Sequence, residues 1–288
     1  MKILVTGAGG MLGHDLMTVL KDTGWVEGVD IHDFDITVQQ DCMKMVMAID
    51  PDWIVNSAAF TAVDDCENLY QKAYAVNAIG AANMAEAAKA SGARMVHIST
   101  DYVFDGMASE PYSEDATPNP QTKYGITKLA GENRVIGILG DRVLVVRTAW
   151  LFGAHGKNFV DTILNIADRG NPLKVVADQI GSPTYTLDLA SGIQKLIQRE
   201  ASGIVHVTSS GSTSWHGFAS FFLKKTHPDI RVMPIPASEY PLPTPRPAYS
   251  VLALDRFTKI TDNSMPDWHN AVDRYLKTHH PSRLKENV

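Results

Sequence analysis

The chain opens with Lys2-Ile3-Leu4-Val5-Thr6-Gly7-Ala8-Gly9-Gly10-Met11-Leu12-Gly13, a short apolar run that leads into a glycine-rich turn. The run is typical of a buried β-strand, and Leu12, Leu16 and Leu20 then recur with helical spacing. The glycines are therefore expected at a helix N-terminus, where backbone N–H groups and the helix dipole favour phosphate. Strand, turn and helix in this order indicate a dinucleotide-binding unit.

The glycine spacing differs from the usual dinucleotide pattern, because Gly7, Gly10 and Gly13 are separated by two residues each. A plain turn between a strand and a helix is therefore an alternative. Residues 26–31 read as a second strand that ends near Asp30, where a carboxylate can accept the adenosine ribose 2′-hydroxyl. Residues 31–40 contain no arginine for a 2′-phosphate, which favours NADH over NADPH unless Asp30 turns outward into solvent.

Composition limits the class of protein. The chain has 288 residues, 44% hydrophobic and 20% charged, enough for one large domain or two unequal ones that share a core. Its two cysteines, Cys42 and Cys66, provide neither a disulfide framework nor metal-ligand spacing, so we expect both to be buried thiols in a reducing compartment.

Charge and hydropathy argue against a nucleic acid or a membrane as a partner. The formal net charge is -6 with scattered basic residues, whereas a nucleic-acid surface needs clustered positive charge. Met1 leads directly into the first strand, and no apolar stretch approaches the length of a membrane span. We therefore predict a cytoplasmic protein that acts on a small molecule, without a nucleic-acid or membrane partner; a homodimer is left open.

Further strand-like runs at residues 53–56, 94–98 and 143–146 alternate with helical segments such as residues 73–90. This alternation predicts an α/β fold, a Rossmann-type doubly wound parallel sheet with a smaller C-terminal substrate-binding region. We assign residues 1–152 to an NAD(P)-binding Rossmann domain. Residues 153–288 should be mainly substrate-binding, with some segments returning to the Rossmann core, and the prolines between 234 and 247 predict irregular loops.

Three predicted strand ends should meet at one edge of the sheet. Ligands of open parallel sheets bind outside the carboxyl ends of the strands. Residues 56–59, 99–104 and 147–152 follow such ends and should face one crevice.

The candidate reacting groups are Thr100, Tyr124 and Lys128. On a helix, positions i and i+4 share a face, so Tyr124 and Lys128 can point into the same site. A nearby ammonium stabilises a phenolate and would make the hydroxyl of Tyr124 a better acid toward a developing alkoxide. Thr100, just past a strand, would orient a substrate carbonyl; taken singly, each residue also has an ordinary structural explanation.

Six segments extend this pattern along the chain. They are residues 56–64 (NSAAFTAVD), 99–106 (STDYVFDG), 124–132 (YGITKLAGE), 147–153 (RTAWLFG), 178–184 (DQIGSPT) and 246–247 (RP). In this order they resemble the dTDP-4-dehydrorhamnose reductase family of the extended short-chain dehydrogenase/reductase superfamily, from residue 1 to about residue 275.

The resemblance implies reduction of the 4-keto group of dTDP-4-dehydro-L-rhamnose to dTDP-L-rhamnose, with hydride from NADPH or NADH and a proton from Tyr124. It places Lys128 at the nicotinamide ribose. The residues it assigns to the cofactor, together with those argued above, are Gly7, Gly10, Met11, Leu12, Asp30, Asp35, Ile36, Ser57, Ala58, Ala59, Tyr124 and Lys128.

The resemblance also implies a pocket for the nucleotide-sugar substrate, lined by Val63, Tyr102, Trp150, Asn158 and Arg246. Each has an alternative role. Trp150 can belong to the core, Arg246 can be a surface charge, and Asn158 can shape a turn.

A metal is not expected. Some members of the family hold magnesium at a dimer contact through glutamates, whereas here Asp15 is the only plausible counterpart and Leu187 falls near another expected acid. Mg²⁺ is therefore doubtful as a cofactor.

Three other functions are compatible with the fold. A nucleotide-sugar dehydratase is disfavoured because Tyr102 stands where that class carries a glutamate. A nucleotide-sugar epimerase uses the same tyrosine and cofactor and is harder to exclude. A non-catalytic regulatory subunit like the methionine adenosyltransferase β subunit has no need of a proton donor, and the intact Thr100, Tyr124 and Lys128 weigh against it.

Overall fold

The computed structural model describes residues 1–285 and shows short strands alternating with helices. The strands are β1 (Lys2–Thr6), β2 (Trp25–Val29), β3 (Trp53–Asn56), β4 (Arg94–Thr100), β5 (Val143–Thr148), β6 (Leu151–Phe152), β7 (Leu173–Val176), β8 (Ile180–Gly181), β9 (Thr184–Tyr185), β10 (Gly203–His206), β11 (Thr213–Ser214) and β12 (Val232–Ile235). The last predicted region, 153–288, thus extends three residues beyond the described part.

The helices are α1 (Met11–Leu20), α2 (Gln39–Ile49), α3 (Val63–Asn68), α4 (Tyr70–Tyr74), α5 (Ala81–Ser91), α6 (Lys123–Leu139), α7 (Phe159–Ala167), α8 (Thr186–Gln198), α9 (Trp215–Thr226), α10 (Asp255–Thr261) and α11 (Trp268–His279). A π-helical segment, Ala75–Gly80, joins α4 to α5. The predicted helical stretch over residues 73–90 is therefore continuous, but its first part is wound more loosely.

Six strands form one parallel sheet in the order β10-β5-β4-β3-β1-β2. The chain passes from β1 to β2 on one side and then returns to β3 on the other side. The strand order therefore reverses at β1, and the crevice beside that strand is the expected ligand position of such a sheet.

Alternate residues of the strands pack into two separate cores. In β1, Ile3 and Val5 face the helices α1 and α8, while Leu4 faces α2 and α5. Both faces are apolar, as expected of a parallel sheet covered by helices on each side. The predicted doubly wound α/β fold is confirmed.

The chain beyond residue 152 contributes to both regions of the molecule. Strand β10 pairs with β5, and α8 packs on α1, so these two elements complete the six-stranded sheet and its covering layer. Helix α10 packs on α8 and β10 in the first core, and α7, α9 and α11 enclose a third apolar core. The division at residue 152 stays a prediction, with these returning segments as its exception.

Regular structure extends into the proline-rich segment, where irregular loops were expected throughout. Pro234 lies within β12, which pairs only with β7 in a two-stranded sheet. Proline is tolerated in an edge strand because its missing N–H need not bond to a neighbour.

Within residues 1–285, no helix combines the length and the apolar character that crossing a membrane requires.

Candidate active site

A crevice of 640 Å³ opens at the carboxyl ends of β1, β3, β4 and β5. Its volume is within the range of small-molecule sites. The predicted site residues that line it are Gly7, Gly10, Met11, Leu12, Asp30, Asp35, Ile36, Ser57, Ala58, Ala59, Val63, Thr100, Tyr102, Tyr124, Lys128 and Trp150. The structure thus brings all but two of them together.

The glycine turn between β1 and α1 needs residues without a Cβ. Gly7 has φ +69° and a Cβ there would lie 2.8 Å from the backbone nitrogen of Ala58. A Cβ on Gly13 would overlap the Gly7 carbonyl, so α1 could not start so close to the turn. The N–H of Gly10 donates to the Gly7 carbonyl at 3.0 Å. This compact cradle at a helix N-terminus fits the diphosphate of a dinucleotide.

Asp30 follows β2 and lies at the end of the crevice beside the glycine turn. Its carboxylate oxygens accept from the N–H groups of Gly9 and Ile31, each at 2.7 Å. Each oxygen has further lone pairs, and the side chain lines the cavity. The carboxylate is therefore placed for a ribose hydroxyl. Its orientation is held by these two hydrogen bonds.

The next loop forms the other wall of this end. Asp35 accepts from both the N–H and the hydroxyl of Thr37 at 2.8 Å, and Ile36 is buried with its carbonyl bonded to Asn83. Opposite, Ser57 donates its hydroxyl to the carbonyl of Thr6 at 2.6 Å. These hydrogen bonds fix the conformation of the two loops that face each other at this end of the crevice.

Helix α6 carries Tyr124 and Lys128 into the crevice. Thr122 caps the helix by accepting from the Gly125 N–H at 3.0 Å, and this fixes where the first turn begins. Lys128 Nζ donates to the carbonyl of Ile98 at 2.6 Å. The helix is thus tied directly to β4.

Thr100 ends β4 opposite α6. Its hydroxyl accepts from the Tyr102 N–H at 3.2 Å and donates to Asp101 Oδ1 at 2.9 Å. Tyr124 and Thr100 both line the crevice, and Thr100 is among the groups that affect the pKa of Tyr124. The three predicted reacting residues therefore occupy one buried corner of the crevice.

The acidity of Tyr124 differs from the sequence-based expectation. Burial raises the pKa of Tyr124 above its ordinary value of 10, and hydrogen bonding to Thr100 opposes this only in part. Lys128, which was expected to ease the ionisation of Tyr124, is not among the groups that shift this pKa, and desolvation of the phenolate sets its direction. Tyr124 thus remains a neutral phenol, the form that can donate a proton.

Lys128 is buried, and burial lowers its pKa from 10.5 to about 8, against an opposing effect of Glu132. The folded chain therefore releases this proton at lower pH than the unfolded chain. Since the unfolded state then binds more protons, the free energy of unfolding should rise with pH between about 8 and 10.5.

We expect this rise to be absent from Lys128→Met. Relative to the variant, the wild type should gain on the order of 2 to 3 kcal/mol between about pH 7 and about pH 10. Urea unfolding of both proteins at the two pH values measures the difference. Parallel pH dependences would show that Lys128 titrates normally in the folded state.

The wall of the crevice beside Tyr124 is aromatic. Val63 starts α3, and the ring of Tyr102 meets that of Tyr124 edge to face, with centroids 5.5 Å apart. Cys66 and Phe60 pack against the same group. A ring-shaped ligand beside Tyr124 would contact this wall.

Trp150 closes the crevice in a conformation that its neighbours impose. Its φ is +50°, and its indole stacks on that of Trp215 with centroids 3.5 Å apart. Gly181 packs against the same indole, where a Cβ would clash. Trp215 itself is the first residue of α9, behind the Ser214 cap, and anchors Trp150 instead of lining the cavity.

Arg246 lies outside the main crevice, at a neighbouring cavity of 330 Å³ that also contacts Tyr102. Its guanidinium donates to Asp64 at 3.0 Å. The residue is mostly buried and paired with a carboxylate. It is therefore held in place at the cavity beside Tyr102 and is not a free surface charge.

Asn158 is not placed at either cavity, which departs from its predicted substrate contact. It caps α7 by accepting from the Asp161 N–H at 3.0 Å, and its amide donates to the Gly153 carbonyl at 2.9 Å. The side chain is buried. These bonds account for Asn158 as the residue that shapes the turn before α7.

Two residues that build the crevice, Lys72 and Asn77, belong to no sequence motif that points to a site. Lys72 of α4 lines the crevice, with Nζ 5.6 Å above the ring of Phe60. Asn77 of the π-helical segment bonds both backbone groups of Phe60 and donates to Thr127 at 3.0 Å, so it ties a wall of the crevice to α6. Side chains of this kind are placed by tertiary packing.

The metal question turns on Asp15, which is buried on α1 with its pKa raised by desolvation. Three histidines, His14, His155 and His279, lie near it. Within the described residues, no group of three or more His, Cys, Asp and Glu side chains is arranged to hold a metal ion.

Comparison with known protein families shows which family the chain belongs to. Residues 1–280 match the family model described as the RmlD substrate binding domain. The chain belongs to this family.

Members of the RmlD family include close matches in sequence and structure. The spore coat polysaccharide biosynthesis protein SpsK of Bacillus subtilis (strain 168) is 42% identical over 277 residues, which cover 96% of this chain and 97% of that protein. The crystal structure of a dTDP-4-dehydrorhamnose reductase from Clostridium acetobutylicum ATCC 824 has a TM-score of 0.93 at 43% identity, covering 96% of this chain and 99% of that one. A dTDP-4-dehydrorhamnose reductase of Bacillus anthracis, solved in complex with NADP, has a TM-score of 0.92 at 37% identity with the same coverage.

Proposed function

We propose that this protein is an NAD(P)H-dependent oxidoreductase acting on CH–OH groups, which reduces the 4-keto group of dTDP-4-dehydro-L-rhamnose to dTDP-L-rhamnose. The observation that carries the proposal is the gathering of Thr100, Tyr124 and Lys128 in a crevice that the glycine turn also lines. Relatives in the RmlD family named as reductases of this substrate support it. The product would serve polysaccharide synthesis, in line with the name of the SpsK relative.

Each residue has a distinct task in the proposed reaction. A bound nicotinamide supplies the hydride that reduces the ketone carbon. Tyr124 donates its phenolic proton to the ketone oxygen, and Thr100 orients that oxygen by hydrogen bonding. Lys128 holds the nicotinamide ribose, while Val63, Tyr102 and Trp150 confine the sugar and keep water out.

The first region of the chain would bind the dinucleotide, and the second region would contribute to binding of the nucleotide sugar. The 640 Å³ crevice is lined by residues between Thr6 and Leu151, which supports dinucleotide binding by residues 1–152. The smaller cavity adds Pro245, Arg246 and Pro247 from the second region. We assign Arg246 to the diphosphate of the nucleotide sugar, because a guanidinium fork suits phosphate oxygens.

The direct test mixes the purified protein with NADH or NADPH and dTDP-4-dehydrorhamnose and follows the absorbance of the reduced nicotinamide. We expect one reduced nicotinamide consumed per sugar, with slower turnover of UDP- and GDP-linked 4-keto sugars. No turnover with either cofactor would remove the reductase proposal and favour a regulatory subunit. A copurifying nucleotide without net consumption would favour an epimerase.

Asp30 should decide between the two cofactors. The loop of residues 30–38 holds Asp30, Asp33 and Asp35 and no Lys or Arg, so a 2′-phosphate would meet only like charge there. We infer that NADH is preferred. Asp30→Asn removes the charge and keeps one of the two oxygens that accept from the N–H groups of Gly9 and Ile31. We expect the ratio of kcat/KM for NADPH over NADH to rise about tenfold or more.

Asp33→Asn is the matched control, because Asp33 accepts from the Asp30 N–H in the same loop. This variant should change the ratio less than Asp30→Asn does. Equal ratios in the wild type and Asp30→Asn would show that another group selects the cofactor.

A further inference from the structure

Asp101 is a buried carboxylic acid directly behind the reacting hydroxyls. It follows Thr100 in the chain, and Oδ1 accepts from the Thr100 hydroxyl at 2.9 Å. The residue is only 3% exposed. It lines the crevice beside Thr100, and its hydrogen bond to the Thr100 hydroxyl lets it act on the reaction through that residue.

The hydrogen bonds of Thr100 are limited to one donated and two accepted. One acceptor position is already taken by the Tyr102 N–H. If Asp101 is ionised, the only proton of Thr100 points to Asp101 and cannot reach a ketone oxygen. The remaining acceptor position then attracts the Tyr124 hydroxyl, which turns the second proton away from the ketone as well.

The opposite arrangement follows when Asp101 is a neutral acid. Its own proton can then be donated to Thr100 Oγ1, which fills the second acceptor position. The Thr100 proton is released, and Tyr124 has no acceptor on Thr100 to bind. Both hydroxyls can donate to one ketone oxygen.

We propose that protonated Asp101 is a positioning residue that donates to Thr100 and thereby directs the hydroxyls of Thr100 and Tyr124 at the substrate ketone. The inference rests on the proposed reductase function. It assigns the Thr-Asp pair at the end of β4 a shared task, with Thr100 touching substrate and Asp101 setting its orientation.

The surroundings of Asp101 make the neutral form accessible. Burial raises its pKa from 3.8 to about 6, while the hydroxyls of Ser250 and Thr100 and the N–H of Tyr102 oppose this. The titratable groups that face it are Tyr124 of α6 and the adjacent Tyr102, whose ring in turn faces Arg246 and Asp64. The neutral form is therefore lost as the pH rises through about 6.

The test compares pH profiles of kcat/KM, which report ionisations of the free enzyme. In the wild type we expect a fall of about tenfold per pH unit above the Asp101 pKa. In Asp101→Asn the amide donates to Thr100 at every pH, so the profile should be flat within about threefold from pH 5.5 to 8, and the variant should exceed the wild type at pH 8. Asp101→Leu, which cannot donate, should lose most of kcat at all pH values. Parallel profiles for the wild type and Asp101→Asn would overturn the inference.

An infrared titration separates this inference from the proposed function. The carbonyl band of a protonated carboxylic acid, assigned by its loss in Asp101→Asn, should disappear with a midpoint near pH 6 and shift in Thr100→Val. Asp115→Asn, which changes an exposed carboxylate paired with Arg256, should leave the band unchanged. If neither the wild type nor any variant turned over substrate, the reductase proposal would fail. The infrared band would still show whether protonated Asp101 donates a hydrogen bond to Thr100. Absence of the band at pH 5 would overturn the inference itself.

Discussion

Tyr124→Phe should lower kcat by about 10²- to 10⁴-fold, the usual contribution of a positioned general acid. The substitution removes only the hydroxyl group, and the ring keeps its buried place against Tyr102 and Cys66. Binding of the dinucleotide depends on the glycine turn and Asp30, so its dissociation constant should stay nearly unchanged. Steady-state assays and fluorescence titration with NADH measure the two quantities.

Tyr185→Phe serves as the control for removal of a buried hydroxyl. Tyr185 belongs to the third core, where its hydroxyl lies 3.2 Å from a ring nitrogen of His279, far along the chain from the crevice loops. Its loss should leave kcat within about twofold of the wild type. A large loss of NADH affinity in Tyr124→Phe would contradict the role assigned to the phenol.

Glu132→Leu should cost about 3 to 5 kcal/mol in the free energy of unfolding, the largest stability effect we expect. Glu132 accepts from Arg147 Nε at 3.0 Å and Nη2 at 2.7 Å, and both side chains are 1% exposed. Removing the carboxylate leaves the Arg147 guanidinium buried without its counter-charge. The pair joins α6, one helical turn past Lys128, to β5.

The double variant Glu132→Leu with Arg147→Met should recover much of this loss, because an apolar pair replaces two buried charges. Removing the exposed pair of Asp115 and Arg256 should cost less than about 1 kcal/mol. Chemical denaturation measures all four proteins. If Glu132→Leu cost no more than the exposed pair, the buried ion pair would not hold α6 against the sheet.

The strands, the glycine turn and the helix that carry the site were predicted from the sequence, because each of them is determined by residues close together in the chain. Apolar runs located strands β1, β3, β4 and β5, and the i, i+4 rule placed Tyr124 and Lys128 on one face of α6. The glycines of the first turn are required by contacts within a few residues of each other and with the loop at Ala58. Parallel strand ends then brought these groups to one crevice.

Features that depend on packing between distant parts of the chain could not be predicted from local sequence patterns. Asn158 follows the sequence pattern of a substrate residue, but its bonds are made to α7 and to the Gly153 carbonyl. The pKa of Tyr124 depends on how deeply its ring is buried, which residue spacing does not reveal. Lys72 and Asn77 reach the crevice through the course of α4 and the π-helical segment.

The late position of β10 in the chain affects how the molecule is made. Strand β10 covers the edge of β5, yet it is translated only after β6 through α8. A nascent chain that has just emerged up to β5 carries an uncovered strand edge, a surface that pairs readily with other chains. Completion of the six-stranded sheet on the ribosome therefore waits for β10, and protection by chaperones is most needed in that interval.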